Sequence, residues 1–327
     1  MDDFIWRNQG GHRLDMDKID MVYLWCDGND PEFQARKNQY MNVAPSDDKL
    51  VGERRYVDND ELKYSLRSLE KYVPWINHVY IVTDRQVPKW LNTDYEKVTV
   101  VDHSEIMPKE IIPVFNSVII EYFLPFIPNL SEKFLYGNDD MFFGAPMTED
   151  YFFQGDKPIL RLRKSKSLQH KNDVPSKSTR VSLNLLKEVH GRLDWYRQHH
   201  NIDSFTKSAY IETLNRYHEN FVATYGNRFR TEFDINRIIF ALDALYSDKS
   251  VLELVKTPNI FERKVLSLFK DVSWDSLIGN ESEKTRQNIL KYKPKLFCVN
   301  SNPNSAEREN SRRFLDSLFP EPSKFEK

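Results

Sequence analysis

Residues 19–31 have the sequence IDMVYLWCDGNDP. The run 19–25 is short, mostly apolar and rich in residues that favour strands, and it stops at a cluster of turn-forming residues that includes Asp27, Gly28 and Asp30. This pattern predicts a strand that ends in a loop.

Downstream of this strand, short apolar runs alternate with amphipathic helical patterns. A helix is predicted over residues 58–72, where Asp58 and Glu61 have the spacing of a capping box. A second helix is predicted over residues 116–127. Further strands are predicted at 78–83, 98–102 and 133–136. This alternation indicates an α/β fold, with a mostly parallel sheet and helices on both of its faces.

Acidic residues follow four of the predicted strands. Parallel strands place their carboxyl ends at one edge of the sheet, and ligands bind beyond that edge in folds of this class. The residues at these strand ends are Asp27, Asp84, Asp102 and the sequence Asn138-Asp139-Asp140. The sequence therefore predicts an acidic site at this edge.

The second half of the chain has a different texture. A strand predicted at 159–163 leads into the polar, basic stretch RLRKSKSLQHKNDVPSK at 161–177. Helical patterns follow at 180–190, 210–225, 234–246 and 281–292. We interpret this half as an added helical lobe, after which a strand at 295–299 and a helix at 307–318 return to the sheet.

The composition argues against several classes of protein. Among the 327 residues, 47 Lys and Arg stand against 49 Asp and Glu, so no overall charge favours nucleic acid or an anionic membrane surface. Cys26 and Cys298 are far apart, which argues against a disulfide framework or a zinc site. Neither the start of the sequence nor the interrupted apolar window 111–130 fits a signal peptide or a membrane span. We therefore expect a cytoplasmic protein.

The pair Asp139-Asp140 lies between the apolar runs FLY and MFF. Two adjacent acids in such a setting are unfavourable unless a cation or hydrogen bonds compensate them. Magnesium typically takes one or two carboxylates together with substrate phosphates, so a metal site is one interpretation. The alternative is a surface turn, because the sequence NDD is also typical of turns.

Basic residues and histidines supply further candidates for the site. Arg230 precedes Asp234 by four residues, and guanidinium groups suit bidentate contact with phosphate. Other basic residues cluster at Arg161, Arg163, Lys164 and Arg228. The candidates for proton transfer are His103, His200 and His218. Such clusters are more often solvated faces, and sequence reasoning does not rank the histidines.

Four ordered blocks of the sequence resemble the Stealth proteins, the family that includes bacterial capsule hexose-1-phosphate transferases and the lysosomal-enzyme N-acetylglucosamine-1-phosphotransferase. The first block, IDMVYLWCDGNDP, is similar to the family pattern IDVVYTWVDGSDP. The second covers RYVDNDELKYSLRSLEKYVPWINHVYIVTDRQVPKWL at 55–91 and continues through VDHSEI, FNS and LSEKFLYGNDDMFFG.

The third and fourth blocks depart from the family pattern at one position each. His200, Arg230 and Asp234 reproduce the spacing of the third block, but Ile202 replaces its usual proline. The fourth block resembles KLFCVNSNPN at 295–304 and FLDSLFPEPSKFE at 314–326, with Ser301 where the family usually has an aspartate.

The resemblance implies a Rossmann-like core of the glycosyltransferase type, with a reaction that breaks the diphosphate of a nucleotide-sugar. A hexose-1-phosphate such as GlcNAc-1-phosphate would move from a UDP-sugar to a glycan hydroxyl, and UMP would leave. The implied cofactor is Mg²⁺ or Mn²⁺. The implied segments are an extension (1–18), a nucleotide-sugar and metal core (19–164), a helical lobe with acceptor and phosphate residues (165–293) and a C-terminal return to the core (294–327).

The resemblance also implies roles for individual residues. Asp139 and Asp140 would hold the metal, with Asp140 also contacting the acceptor hydroxyl; His200 would act as base, and Arg230, oriented by Asp234, would hold the transferred phosphate. The residues expected to bind substrate are Trp25, Asp27, Gly28, Asp30, Asn59, Asp60, Glu61, Arg67, His103, Asn116 and Asn300.

Two alternatives remain open on the sequence. One is a conventional metal-dependent glycosyltransferase that releases UDP, and the other is a glycan-binding protein without activity. For the enzyme, the expected partners are a nucleotide-sugar donor, a glycan or polysaccharide acceptor and the capsule machinery at the inner face of the membrane.

Overall fold

The structure is a computed structural model that describes residues 17–43, 52, 56–198, 200–255, 276–300 and 304–327. A central sheet of five strands organises the molecule. In spatial order its strands are β3 (Val98–Asp102), β2 (Val79–Thr83), β1 (Ile19–Leu24), β4 (Lys133–Asn138) and β9 (Asp203–Thr206). The first four are parallel and β9 runs antiparallel to β4. The predicted mostly parallel sheet is confirmed.

Strand β1 is buried along its whole length because it lies between two neighbours and both faces of the sheet are covered. The exception to its apolar character is Asp20, a fully buried acid. Its carboxylate accepts hydrogen bonds from Asn77 Nδ2 and Ser131 N, each at 2.7 Å. These two bonds replace the water that the acid loses on folding.

Two helices follow β1 along the chain. Helix α1 (Pro31–Asn38) is capped by the Asp30 carboxylate, which accepts from the backbone N–H groups of Glu32 and Phe33. Helix α2 (Glu61–Tyr72) places its leucine stripe against β1 and β2.

The capping box predicted for α2 is wrong. Asp58 accepts from Asp60 N instead, and Asp60 adopts a left-handed conformation with φ of 62°. This turn delays the start of the helix to Glu61, whose own carboxylate accepts from Asn59 N.

Two predicted helices are interrupted. The short helix α3 (His103–Ile106) precedes the first of them, which was predicted over 116–127. This helix forms only as α4 (Ser117–Glu121) and gives way to a 3-10 turn at Leu124–Phe126, because Pro125 has no N–H to donate. The pattern at 210–225 forms two helices, α6 (Lys207–Arg216) and α7 (His218–Thr224), that meet at Tyr217.

The predicted helical lobe contains strands as well as helices. Its long helices are α5 (Val174–His190) and α8 (Ile238–Tyr246). Strand β7 (Lys157–Lys164) is central to a second sheet, whose other strands are β6 (Phe153–Gln154), β8 (Tyr196–Gln198) and β10 (Val251–Leu254). Because β9 of the same segment is an edge strand of the central sheet, lobe and core share one sheet.

The C-terminal strand does not return to the central sheet, so that prediction is wrong. Strand β12 (Leu296–Asn300) pairs antiparallel with β5 (Met141–Phe143) and parallel with β11 (Ser276–Asn280). Strand β5 begins directly after the Asp139-Asp140 turn, so the position of that turn determines where β12 can pair. The following helices are α9 (Glu283–Tyr292) and α10 (Ser305–Leu318).

Two large apolar clusters cover the two faces of the central sheet. Side chains of β1 alternate between them, with Met21 and Tyr23 on the α2 face and Val22 and Leu24 on the opposite face. In the described part of the chain, no helix is both long and apolar enough to cross a bilayer.

Candidate functional site

A cavity of about 430 Å³ opens at the carboxyl ends of the parallel strands. Its wall includes Trp25 and Cys26 after β1, Asp84 after β2, and the turn Asn138-Asp139-Asp140 after β4. Four parallel strands end at one edge, which brings these residues together although they are up to 115 positions apart in sequence (25 to 140). Of the acids predicted at this edge, Asp84, Asp139 and Asp140 line the cavity, whereas Asp27 and Asp102 do not.

The acid pair occupies the turn between β4 and β5. Burial raises the pKa of Asp140 to about 6, while burial together with the charges of Asp140 and Asp58 raises the pKa of Asp139 well above its ordinary value. Asp140 Oδ2 accepts from Cys298 Sγ at 3.4 Å, and its buried Oδ1 has no hydrogen-bond partner among the described residues. The pair is thus only partly compensated.

Two further acids, Glu61 and Asp58, interact electrostatically with this pair. Burial and the charges of Asp139 and Asp58 raise the pKa of Glu61 well above its ordinary value. Burial and the charge of Asp60 raise the pKa of Asp58 to about 6. Like charges gathered in a desolvated cavity favour uptake of a cation or of protons.

A divalent cation fits this donor set. One ligating atom each from Asp140, His200 and Cys298 lie within 4.8 Å of one another. Burial and the Asp140 charge raise the pKa of the Cys298 thiol well above its usual range, so it acts as a hydrogen-bond donor. An Asp140 carboxylate oxygen and a His200 ring nitrogen remain in this group. A carboxylate oxygen suits a hard ion.

His200 reaches the cavity from the segment that precedes β9. Burial and the charges of Arg237, Arg230 and Arg197 lower the pKa of its imidazole to about 4, and a hydrogen bond with Asn300 opposes this shift. The ring is therefore neutral near pH 7, the state in which an imidazole can accept a proton.

Arg230 also lines the cavity and donates from Nη2 to Ser117 Oγ. Asp234 does not contact its guanidinium. The Asp234 carboxylate instead accepts from Thr231 N, Asn116 Nδ2 and Asn227 Nδ2, at 2.8 to 2.9 Å. Asp234 and Asn116 therefore shape the loop that carries Arg230.

Half of the residues predicted for the site line this cavity. They are Trp25, Glu61, His103, Asp139, Asp140, His200, Arg230 and Asn300. The structure does not bring the others to its wall, and these are Asp27, Gly28, Asp30, Asn59, Asp60, Arg67, Asn116 and Asp234. Ser301 lies outside the described residues.

In the loop between β1 and α1, Asp27 and Gly28 do not line the cavity but contact residues next to it. Asp27 N donates to Gln86 Oε1 at 3.0 Å. A Cβ on Gly28 would lie 2.4 Å from the carbonyl oxygen of Tyr56, so the backbone at this glycine closely approaches Tyr56, which lines the cavity.

Two of the other predicted residues, Asn59 and Arg67, bind the C-terminal part of the chain. Asn59 Nδ2 donates to Arg308 O at 3.1 Å, in α10. Arg67 forms two hydrogen bonds with the Glu326 carboxylate, at 2.8 and 2.7 Å, and donates to Phe319 O. Its guanidinium is thereby engaged outside the cavity.

Sequence reasoning missed several residues of the site. Asp58 and Ser117 lie inside the blocks already singled out, but only the fold shows that they face the acid pair and Arg230. Asp84 was identified as an acid at a strand end and not as a site residue. Cys298 carried no signal, because its proximity to Asp140 depends on the pairing of β12 with β5.

Comparisons with known proteins bear on the family of the chain. Family models described as Stealth protein conserved region 1 and conserved region 2 match residues 17–42 and 55–160. The crystal structure of the galactosyltransferase LgtC with donor and acceptor sugar analogs has a TM-score of 0.45 and 10% identity, covering 93% of this chain and 98% of that one.

Similarity to curated proteins extends over most of the chain. The capsular polysaccharide phosphotransferase cps12A of Actinobacillus pleuropneumoniae is 33% identical, over 95% of this chain and 84% of that protein. A second phosphotransferase of that species, cps1A, is also 33% identical, over 88% of this chain and 83% of that protein. The chain therefore belongs to the Stealth family, together with these capsular polysaccharide phosphotransferases.

Proposed function

We propose that the protein transfers a hexose-1-phosphate, such as GlcNAc-1-phosphate, from a UDP-sugar to a hydroxyl group of a glycan. The products are a phosphodiester between sugars and UMP. The reaction would serve the synthesis of a capsule or another cell-surface polysaccharide, at the cytoplasmic face of the membrane and in association with the capsule machinery.

The observation that carries this proposal is the meeting of Asp139, Asp140, His200 and Arg230 around one cavity. These residues come from three separate segments of the chain. Phosphoryl transfer depends on counter-charge for the phosphate oxygens, on a positioned guanidinium and on a group that takes the proton of the attacking hydroxyl. The cavity supplies a candidate for each.

The acid pair would hold Mg²⁺ or Mn²⁺. The partly compensated carboxylates and the unpartnered Oδ1 of Asp140 fit a hard cation that also contacts phosphate oxygens. When bound, such an ion neutralises charge on the diphosphate and on the acids.

The residues of this chain would then divide the work. Arg230, fixed by Ser117, would hold the phosphate attached to the sugar. His200 would accept the proton of the acceptor hydroxyl as that oxygen bonds to the phosphorus. The bond between this phosphorus and the oxygen of UMP would break, leaving the anomeric carbon–oxygen bond intact.

Product analysis tests this function. The purified chain is incubated with UDP-GlcNAc, a glycan acceptor and Mg²⁺. The proposal predicts UMP together with a phosphorus-31 diester signal. Release of UDP without a diester would instead indicate the conventional glycosyltransferase, and no metal-dependent turnover with any common nucleotide-sugar would favour a binding protein.

A further inference from the structure

Two buried polar atoms at the β2 side of the cavity have no hydrogen-bond partner among the described residues. They are Asp84 Oδ1 and His103 Nδ1. Both residues line the cavity, and their exposed fractions are 2% and 4%. Because buried polar groups are nearly always paired, these two atoms indicate a ligand that completes their bonding.

The Asp84 carboxylate is fixed in place by Arg36 of α1. Arg36 Nε donates to Asp84 Oδ2 at 2.9 Å, and Arg36 Nη2 donates to the Asp84 carbonyl oxygen at 2.9 Å. The other carboxylate oxygen, Oδ1, remains an acceptor without a donor. A carboxylate held by a guanidinium offers acceptors only.

His103 complements this acceptor. Burial lowers the pKa of its imidazole to about 4, although the charges of Asp84 and Asp102 oppose the shift. The ring is thus neutral near pH 7, and a neutral imidazole can donate from Nδ1. The two residues do not bond to each other through the unpartnered atoms.

The surrounding wall is apolar. Leu24, Val82, Val114 and Ile120 line the same cavity. An apolar lining with one acceptor and one donor suits a flat heterocycle that presents a ring N–H beside a carbonyl group.

We propose that Asp84 and His103 select the base of the donor nucleotide. Asp84 Oδ1 accepts the ring N–H and His103 Nδ1 donates to the neighbouring carbonyl oxygen. Uracil and guanine present this edge, whereas cytosine and adenine have an unprotonated ring nitrogen there and would face the carboxylate with a lone pair. This inference rests on the proposed function, which supplies the nucleotide-sugar.

Nucleotide binding by calorimetry tests the inference without acceptor or turnover. With Mg²⁺ present, UDP or GDP should bind the protein at least about tenfold more tightly than CDP and ADP, because the wrong bases leave buried groups unpaired. The comparison of UDP with GDP decides between the two bases. Equal affinity for all four nucleotides would overturn the inference.

The Asp84→Asn variant gives a sharper test. An amide can donate as well as accept, so it can pair with the ring nitrogen of cytosine, and the ratio of UDP to CDP affinity should fall about tenfold. An unchanged ratio in a folded variant would contradict the role of Asp84. If this variant does not fold, His103→Phe keeps a flat ring and should weaken UDP binding without strengthening CDP binding; unchanged UDP affinity would contradict the proposal.

Glu32→Gln is the matched control. Glu32 Oε2 lies 3.8 Å from Arg36 Nη1, and its side chain is 86% exposed. The variant removes an acid beside the same arginine without touching the cavity, so the base preference should not change. Base selection in a protein that releases UDP would defeat only the proposed function, and UMP release without base selection would defeat only this inference.

Discussion

At the scale of single residues, the site gathers charged side chains whose charges a bound substrate and cation would balance. Burial and neighbouring acids raise the pKa of Asp139, while burial and neighbouring arginines lower the pKa of the His200 imidazole. Arg230 and the acids thus line the same cavity. Charges of both signs in one cavity suit a diphosphate that binds together with a cation.

Arg230→Ala should reduce turnover by about 10³-fold, because an arginine on the transferred phosphate stabilises charge in the transition state. Steady-state kinetics on the folded variant measures the effect. Arg228→Ala is the control from the same loop, since the Arg228 guanidinium lies over the Tyr40 ring at 4.6 Å. A variant at Arg230 with normal turnover would remove this residue from the mechanism.

Asp140→Asn should weaken Mn²⁺ binding by at least about tenfold, because it removes a charged oxygen from the proposed ligand set. Calorimetric titration with the metal alone measures this affinity. The control is Asp156→Asn, which changes an exposed acid paired with Lys133. Equal Mn²⁺ affinity in wild type and Asp140→Asn would place the ion elsewhere.

Sequence reasoning found the acid pair because strand ends meet at one edge of a parallel sheet. It did not give Asp84 a role, because the significance of that acid depends on Arg36, which is 48 positions away. Asp234 was likewise predicted to orient Arg230 directly. Its carboxylate instead bonds to the loop that carries Arg230, and only coordinates establish such a contact.

At the scale of elements, the existence of most helices and strands was predictable and their bounds were not. Proline explains the break after α4, and local hydrogen bonds explain the late start of α2. Strand β5 has only three residues, which is too short an apolar run to predict a separate strand after the Asp139-Asp140 pair. The partner of β12 was missed for the same reason.

Gly28→Ala should lower the free energy of unfolding by about 1–3 kcal/mol, because the new Cβ would overlap the Tyr56 backbone at 2.4 Å. Chemical denaturation measures the change. Gly226→Ala is the control, since nothing lies within 4 Å of a Cβ at that position. Equal stability of the two variants would show that the β1–α1 loop moves freely from Tyr56.

At the scale of the whole molecule, the C-terminal segment closes back onto the central domain. Leu91 forms a β-bridge with Glu326, and Asn92 N donates to Phe325 O at 2.8 Å. Arg67 of α2 completes this attachment through its bonds with Glu326. No sequence pattern linked these segments, because their contacts span about 230 to 260 positions.

Glu326 makes this attachment sensitive to acid. Burial alone would raise the pKa of its carboxyl, but hydrogen bonds from Arg67 and Ser323 hold that pKa below its ordinary value. The stabilisation is therefore complete above the unfolded pKa of about 4.3 and is lost as the pH falls through the lower folded value.

Glu326→Gln should accordingly lower the free energy of unfolding by about 2 kcal/mol at pH 7 and by progressively less as the pH falls from about 4.3 through the lower folded pKa. Denaturation at a series of pH values measures both differences. Glu321→Gln changes an exposed acid of the same segment and should behave as wild type. A difference that stays constant with pH would rule out the Arg67 contact as its source.

We propose that the acceptor hydroxyl attacks phosphorus and not the anomeric carbon. A UDP-sugar labelled with oxygen-18 between the anomeric carbon and phosphorus distinguishes the two directly, when the products are analysed by phosphorus-31 spectroscopy and mass spectrometry. The account predicts that the label remains between sugar and phosphorus in the new diester, with unlabelled UMP released. Recovery of the label in released UDP would contradict it.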